Sequence, residues 1–319
     1  MLTSVENLAR TALVVALAVF ATACDDTGRL GPLAPSGSGT PSAGSAQAVH
    51  QEWSPYVGVH VTGEATAAYR DALVRLLQSG RLRGARVEIN KRSIDAGASV
   101  IKGIGALGVE LLGLIGNDFV FDHPIEATID RIFSTYPEIR YFQIGNEITT
   151  ILPSSGPTMA VEQYMEVFQR IYAHVQNRYP GRAVLLTQST LGSGQYGPRE
   201  LEAMAALGLA DMNPERVILA INDYDPHEAI LYAGLLGTTL RRFRVWVTES
   251  GVPTPEQHAS FVQSGYPLLR NYLRAERIYW YVLWGGDSGS DAGFSLISNP
   301  ARYPDYSTSP LFQILTGSN

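Results

Sequence analysis

Residues 141–148 read YFQIGNEI, an apolar run that ends abruptly in the polar pair Asn146 and Glu147. Its aromatic and β-branched residues favour a buried strand, and a glycine loosens the backbone just before the pair. Residues 243–249 read FRVWVTE and have the same build, ending in Glu249. If both strands belong to one parallel barrel, both carboxylates lie at its C-terminal end, where barrel enzymes hold their reactive groups.

Strand-like and helix-like segments alternate outward from these two stretches. Eight alternating units of roughly 30 residues predict an α/β fold, a single-domain (β/α)8 TIM barrel, with an open doubly wound sheet as the alternative. The predicted strands are 56–61, 84–90, 109–115, 139–147, 183–187, 217–224, 243–249 and 278–284. The predicted helices are 65–77, 96–104, 124–136, 159–179, 198–207, 227–240, 255–273 and 310–315. Four of these helices begin with a proline, whose missing N–H costs nothing there: Pro124, Pro198, Pro255 and Pro310.

The N-terminus predicts export. Within residues 1–24, a short polar start is followed by the apolar run ALVVALAVF at 12–20. That run has the length of a signal peptide and is too short to remain as a transmembrane helix. It ends in ATAC at 21–24, which resembles a bacterial lipobox, so we expect lipidation of Cys24 and a protein anchored in, or exported to, the bacterial cell envelope. The alternative is an ordinary secretory signal cleaved near Ala23, or a simple N-terminal anchor.

Composition bounds the rest of the chain. Residues 25–50 are rich in Gly, Ser, Pro, Ala and Thr and predict a flexible linker, which leaves 51–319 for the barrel. Cys24 is the only cysteine, so a lipidated chain has no thiol for a disulfide framework or a thiolate zinc site. The net charge of −6 disfavours nucleic acid as a partner. We expect no bound metal, because the histidines lack the spacing of metal ligands. We also expect no other cofactor and a monomeric protein.

Neither dinucleotide binding nor serine hydrolysis is supported by a motif in the sequence. Residues 103–108 read GIGALG and match the glycine pattern of a dinucleotide-binding turn. That fingerprint requires a strand before it and a helix after it, whereas the predicted order here is reversed. We therefore predict a helix C-terminus followed by a tight turn into a strand. No Gly-x-Ser-x-Gly elbow is present, so a serine hydrolase finds no support.

Two carboxylates that converge at one end of a barrel suit glycoside hydrolysis. One is protonated and donates to the leaving oxygen, and the other is ionised and attacks the anomeric carbon. Their surroundings must therefore hold the two pKa values apart. Arg86 and Tyr224, near the ends of the second and sixth predicted strands, are candidates to keep Glu249 ionised. Asn146 is placed to contact a substrate hydroxyl.

Taken together, these positions resemble clan A of the retaining glycoside hydrolases over the whole predicted barrel. The residues that carry the resemblance are Asn146 and Glu147 after the fourth strand, Glu249 after the seventh, Arg86 on the second and Trp284 on the eighth. In that clan the Glu of the Asn-Glu pair is the acid/base and the Glu of the seventh strand is the nucleophile. The resemblance therefore implies Glu147 as acid/base and Glu249 as nucleophile.

The same resemblance implies roles for the neighbouring residues. Asn146 would bind the 2-hydroxyl of the sugar that is attacked. Arg86 and Tyr224 would hydrogen-bond the nucleophile, and Trp284 would form the floor of that sugar's subsite. Asn222 is a further substrate-binding candidate, because the sixth strand reads Asn-Asp-Tyr where the clan often carries His-x-Tyr.

The branch within the clan stays open. QIGNEI at 143–148 is similar to arabinogalactan endo-β-1,4-galactanases, whereas TESGVP at 248–253 is closer to β-1,3-glucanase and xylosidase-like branches. The clan's common Trp before the Asn and Pro after the Glu are replaced here by Gly145 and Ile148. The sugar and the linkage are therefore not predicted.

Several candidate residues have a structural alternative. Arg86 could pair with Glu88 or Glu110 instead of with the nucleophile. Trp284 could belong to the barrel core. His60, at the end of the first predicted strand, could line a subsite or pack in the interior.

The sequence as a whole predicts retaining hydrolysis of β-glycosidic bonds in a polysaccharide or oligosaccharide through a covalent glycosyl-enzyme. Mostly short loops favour an open cleft and endo action. A transglycosylase with the same residues is one alternative, in which a sugar rather than water resolves the intermediate. A carbohydrate-binding lipoprotein on a degenerate barrel, without turnover, is the other.

Overall fold

A computed structural model describes residues 57–61, 74–76, 84–92, 94–95, 98–149, 158–191, 194–286, 288–297 and 310–312. The predicted signal peptide, the linker and the lipidation site Cys24 lie outside these residues, as does most of the predicted helix 65–77. Among the helices that are described, none is long and apolar enough to cross a membrane.

Parallel strands form a closed barrel in which each strand pairs with the next along the chain and the eighth pairs with the first. The strands are β1 (Val57–Val61), β2 (Gly84–Ile89), β3 (Glu110–Ile115), β4 (Tyr141–Ile144), β5 (Val184–Leu191), β6 (Val217–Asn222), β7 (Arg244–Ser250) and β8 (Ala275–Trp280). Closure confirms the predicted TIM barrel, because a doubly wound sheet would leave two open edges.

Helices alternate with these strands and cover the outside of the barrel. The α-helices described over their full length are α1 (Ala98–Gly105), α2 (Asn117–Val120), α3 (Ile125–Thr135), α4 (Val161–Arg178), α5 (Tyr196–Ala206), α6 (Ala233–Gly237) and α7 (His258–Leu273), and residues 74–76 and 310–312 are also helical. Short 3-10 helices span Leu209–Asp211, Glu228–Tyr232, Pro255–Gln257 and Ala292–Phe294. α1 ends at Gly105, and the chain turns at Gly108 (φ 77°) into β3, which confirms that the GIGALG stretch is a helix-to-strand turn.

Two apolar layers fill the structure, and strand periodicity assigns residues to them. In β6, Ile218 and Ala220 point into the barrel interior, while Leu219 and Ile221 pack against the helices. By the same alternation the side chain of Asn222 is directed to the interior at the C-terminal end of the strand. Polar side chains at that end therefore meet above an apolar plug that includes Leu112, Leu186 and Trp246.

Several predicted boundaries are wrong, among them the ends of the fourth and sixth strands, which stop at Ile144 and Asn222. β8 ends at Trp280, so Trp284 lies beyond the strand and packs, partly buried, against the outer core. β5 continues to Leu191, because its polar residues 187–190 remain buried in the barrel. The predicted helix 227–240 is a 3-10 helix followed by the short α6. α5 begins at Tyr196, which makes Pro198 its third residue rather than its first.

Candidate active site

The C-terminal ends of β2, β4, β5, β6 and β7 bring one set of polar side chains together. The set contains the two predicted glutamates and the residues that bond to them or to each other: Arg86, Gln143, Asn146, Glu147, Ser189, Asn222, Tyr224, Thr248 and Glu249. The structure therefore joins into one network six of the residues selected from the sequence.

Glu249 is buried between a cation and a phenol. Its residue exposure is only 6%, its Oε1 lies 2.7 Å from Arg86 Nη1, and its Oε2 accepts from the Tyr224 hydroxyl at 2.6 Å. Burial and the nearby charge of Glu249 hold the pKa of Tyr224 well above its ordinary value, so the phenol stays a donor. Both contacts come from donors, so they are satisfied when Glu249 is ionised and both of its oxygens act as acceptors.

Arg86 is fully buried and directs each edge of its guanidinium to a different partner. Nη1 contacts Glu249, Nη2 donates to Asn146 Oδ1 at 2.7 Å, and Nε donates to Gln143 Oε1 at 3.0 Å. The alternative that Arg86 pairs with Glu110 is wrong, because the carboxylate of Glu110 instead lies 2.8 Å from Arg277 Nε. Arg86 thus links the Glu249 site to the Asn146 site.

Glu147 follows an unusual turn at the end of β4. Its φ is 47° and that of Gly145 is 75°, conformations that L side chains such as that of Glu147 rarely adopt. Neighbouring side chains hold the turn: Gln188 Oε1 accepts from the Ile148 amide at 2.7 Å, and Asn117 bonds both the N–H and the C=O of the residue before Glu147. Strained backbone held in this way is typical of functional sites.

The carboxyl of Glu147 has surroundings opposite to those of Glu249. Its Oε1 accepts from Asn222 Nδ2 at 2.8 Å, and no arginine or lysine contacts it within the described residues. Burial and the negative charge of Glu249 raise the pKa of Glu147 to about 7. The two glutamates are therefore close enough to influence each other, and Glu147 retains a proton into the neutral range.

Asn146 is oriented by four donors, the most distant of which is Gln143 Nε2 at 3.4 Å from Asn146 Oδ1. Its Oδ1 accepts from Arg86 Nη2 at 2.7 Å, from Ser189 Oγ at 2.6 Å and from Asn222 Nδ2 at 3.3 Å. This arrangement leaves the N–H groups of its amide without a hydrogen-bond partner in the part of the chain that is described. These are the groups through which the predicted contact of Asn146 with a substrate hydroxyl would form.

An aromatic residue missed by the sequence analysis lies beside the glutamates. Tyr281 directly follows β8, and its ring centroid is 6.1 Å from that of Tyr224 and 5.6 Å from that of Phe294. Trp284, the predicted subsite floor, lies three residues further along the chain. The backbone of His60 pairs with Arg86 in the barrel, and its side chain lies outside the described residues.

Other missed residues carried a signal in the sequence, since each is polar within an otherwise apolar strand. Gln143 and Thr248 are fully buried in this way, and Gln188 and Ser189 belong to the TQST run of β5. Nothing in their spacing shows which carboxylate they serve. The described residues contain no group of three or more His, Cys, Asp or Glu side chains placed to hold a metal ion.

Two further carboxyls lie close to the site but outside its network. Asp223 is fully buried between Asn222 and Tyr224, and neither of its oxygens completes a hydrogen bond to a described residue. Burial raises the pKa of Asp223 to about 8, an effect only partly offset by the nearby Asp225 amide. Burial likewise raises the pKa of Glu200 on α5 to about 7.

Comparison with known proteins shows similarity in structure without similarity in sequence. No known sequence family and no curated protein matches the chain. A GH5 xyloglucan-specific endo-β-1,4-glucanase from a metagenomic library superposes with a TM-score of 0.57 at 11% identity, over 86% of this chain and 100% of that one. The catalytic domain of a mannanase from a Streptomyces species gives 0.55 at 11% identity, over 82% and 84%. An endo-β-1,6-glucanase gives 0.58 at 10% identity, over 82% and 75%. At these identities the likeness shows a shared barrel fold.

Proposed function

We propose that this chain is a retaining β-glycoside hydrolase in which Glu249 is the nucleophile and Glu147 is the acid/base. The observation that supports the proposal best is the contrast between two glutamates at the same end of one barrel. Glu249 contacts Arg86 and Tyr224, whereas Glu147 has no cationic hydrogen-bond partner among the described residues and holds a proton to about pH 7. Double displacement requires one ionised and one protonated carboxyl.

In the first step, Glu249 attacks the anomeric carbon of a β-linked sugar, and the glycosidic C–O bond breaks. Glu147 donates its proton to the departing oxygen, so the leaving group departs as an alcohol rather than as an alkoxide. The product of this step is an ester between the sugar and Glu249, and Glu147 is left ionised.

The second step reverses these roles. Once Glu249 is esterified its negative charge is gone, and with it one of the two main causes that raise the pKa of Glu147. Glu147 therefore becomes a stable carboxylate and takes a proton from water, which attacks the same carbon. The sugar is released with its original configuration, and both glutamates return to their starting state.

Three neighbouring residues have supporting roles in this proposal. Arg86 and Tyr224 hold Glu249 ionised and fix its orientation before attack. Asn146 offers its amide N–H groups to a sugar hydroxyl. We assign the aromatic surface of the subsite to Tyr281 rather than to Trp284, because Tyr281 borders Tyr224 at the end of β8.

The substrate class follows from the fold neighbours and from the chain's charge. The similar structures are named as endo-acting β-glucanases and a mannanase, so we propose a β-linked polysaccharide. With a net charge of −6, the chain suits a neutral glycan better than an anionic one. We propose further that Cys24 carries the lipid that anchors the enzyme in the bacterial cell envelope.

Glu249→Ala is the direct test of the nucleophile. We expect turnover of a panel of xyloglucan, β-mannan, laminarin, β-1,6-glucan, β-1,4-galactan and xylan to be abolished in the variant. Azide should restore cleavage of an activated aryl glycoside and yield the α-glycosyl azide, because the small anion occupies the space of the missing carboxylate. Normal activity in the variant would sink the assignment, as would products of inverted configuration by proton NMR from the wild type.

Product analysis separates hydrolysis from its two alternatives. Oligosaccharides longer than the starting material, detected by mass spectrometry, would identify a transglycosylase that uses the same residues. Binding of a glycan by the wild type with no new reducing ends would identify a binding protein. A degenerate binding barrel has no need of a buried Arg86–Glu249 pair, so this contact favours catalysis.

A further inference from the structure

The side-chain amide of Asn222 lies between Glu147 and Thr248. Its Nδ2 donates to Glu147 Oε1 at 2.8 Å, and its Oδ1 accepts from Thr248 Oγ1 at 2.9 Å. Thr248 is fully buried, and the other acceptor near its hydroxyl, the Ile221 carbonyl, is 3.5 Å away. The shorter contact therefore commits the single hydroxyl proton of Thr248 to Asn222.

An irregularity in β7 makes this contact possible. Ile221 pairs with Val247, but the next residue of β6, Asn222, pairs with Glu249, so β7 contains one extra residue at Thr248. Such a bulge redirects side chains that strict alternation would place on opposite faces. Thr248 and Glu249 can both serve the mouth of the barrel for this reason.

The Thr248 hydroxyl distinguishes between the two orientations of the Asn222 amide, and Asn146 Oδ1, which lies 3.3 Å from Asn222 Nδ2, favours the same one. In the opposite orientation Oδ1 would face Glu147, and only a protonated Glu147 could donate to it. In the observed orientation Glu147 Oε1 is an acceptor, so a proton on Glu147 must reside on Oε2. Oε2 has no hydrogen-bond partner among the described residues, which leaves it open to a substrate.

We propose that Thr248 is a positioning residue: its hydroxyl fixes the Asn222 amide, which keeps the acid proton of Glu147 on Oε2, towards the leaving group. This inference rests on the acid/base role proposed above for Glu147. Thr248 itself touches neither the substrate nor the bond that breaks.

Removal of the hydroxyl has a defined consequence. A valine at position 248 leaves Asn222 Oδ1 buried without a donor, which is costly. The amide regains a partner by turning Oδ1 towards Glu147 and accepting its proton, which gives up the longer, 3.3 Å contact of Nδ2 with Asn146 Oδ1. That bond stabilises the protonated carboxyl, whereas the observed N–H donation stabilises the ionised one. The change therefore raises the pKa of Glu147 and points its proton at Asn222 instead of at the substrate.

The first readout is the titration of Glu147, which requires no turnover. Protein labelled with carbon-13 at the glutamate carboxyls is titrated by NMR, with the Glu147 signal identified by its loss in Glu147→Gln. We expect Thr248→Val to raise the midpoint by about one pH unit, and Thr248→Ser, which keeps the hydroxyl, to leave it unchanged. Thr190→Val is the matched control, because Thr190 is also a buried strand residue but its hydroxyl pairs with Tyr232 at 3.0 Å.

The second readout is the dependence of the rate on the leaving group. A glycan that the wild type cleaves is compared with the 2,4-dinitrophenyl glycoside of the same sugar, whose leaving group needs no proton. We expect Thr248→Val to lower kcat on the glycan by about tenfold or more. It should leave kcat/KM for the dinitrophenyl glycoside, which reports cleavage of the first bond, near the wild-type value, and Thr248→Ser should be normal on both substrates.

A double-mutant cycle isolates the route of the effect. In an Asn222→Ala background Thr248→Val should not shift the titration midpoint of Glu147 further, because the residue through which it acts is gone.

Three results would overturn the inference: an unshifted midpoint of Glu147 in Thr248→Val, an equal shift in Thr190→Val, or a Thr248→Ser variant that behaves like Thr248→Val. If Thr248→Val does not fold, Thr248→Ala takes its place with the same expectations. A wild type that cleaves no glycan, with the titration shifts intact, would refute the proposed function and leave the Thr248 contact standing.

Discussion

Glu249 at the end of β7 and Glu147 at the end of β4 are the same amino acid on the same face of the barrel, yet their surroundings differ in almost every respect. Glu249 has a hydrogen bond to each oxygen, one of them from a guanidinium. Glu147 has one bond from a neutral amide and feels the charge of Glu249. The comparison shows that neighbours, rather than residue type, decide which carboxyl holds the proton.

The largest change should come from altering the protonated partner. Glu147→Gln keeps the shape of the side chain but removes its proton, and we expect kcat on a glycan to fall by about 10³-fold or more. The loss in kcat/KM, which reports cleavage of the first bond, should be much smaller for a dinitrophenyl glycoside, whose leaving group departs without a proton. Steady-state kinetics on the two substrates measure the difference, and equal losses in kcat/KM on both would contradict an acid role.

The pH profile gives an independent check on the same residue. Bond cleavage needs protonated Glu147, so the wild-type rate should decline as pH rises through about 7. In Glu147→Gln this alkaline decline should disappear, because the amide has no proton to lose. A decline that persists unchanged in the variant would assign it to another group.

The next largest effect should come from the cation beside Glu249. Arg86→Met removes the positive charge while filling much of the same space, and it leaves a buried carboxylate without its partner. We expect kcat/KM to fall by about 10²- to 10³-fold and the free energy of unfolding at pH 7 to fall by about 3–5 kcal/mol. Denaturant titration measures the stability, with Arg131→Met as a control because its ion pair to Asp95 is exposed.

Glu147 and Glu249 could be predicted from the sequence because each follows a recognisable apolar run, and Arg86 because it is a charged residue within the predicted strand 84–90. Strand ends on one face of a parallel barrel are neighbours whatever their separation along the chain, so these residues had to converge. From the residues alone, Arg86 could pair with Glu249, Glu88 or Glu110. The resemblance implied the pairing with Glu249, which the structure contains.

Other parts of the site depend on features that a sequence does not display. The apolar run of β8 continues beyond the point where pairing ends at Trp280, so the sequence pattern predicts Trp284 on the strand and does not single out Tyr281. The contact between Thr248 and Asn222 depends on an irregular register between β6 and β7. A periodicity argument assumes regular alternation and therefore assigns such residues to the wrong face.

A smaller effect is expected at the second contact of Glu249. Tyr224→Phe removes the hydroxyl that donates at 2.6 Å but keeps the ring between Tyr281 and Phe294. With Arg86 still in place, we expect a loss of about tenfold in kcat/KM, the equivalent of one hydrogen bond to a charged group. Kinetics of this variant beside Arg86→Met would rank the two contacts, and a larger loss in Tyr224→Phe would reverse the importance given to the cation.

Asp223 extends the comparison to a buried carboxyl that has neither a cation nor a proposed chemical role. Its pKa is about 8 in the folded protein and near 4 in an unfolded chain, so the folded state alone binds this proton between those values. Its contribution to stability is complete below about pH 4 and declines as pH rises to about 8. Asp223→Asn cannot ionise, so relative to the wild type it should become more stable across that interval, by about 5 kcal/mol at pH 8, and show little difference at pH 4. Thermal unfolding at several pH values tests this, with the exposed Asp211→Asn as control, and a gain of the same size at pH 4 would show that packing rather than ionisation is responsible.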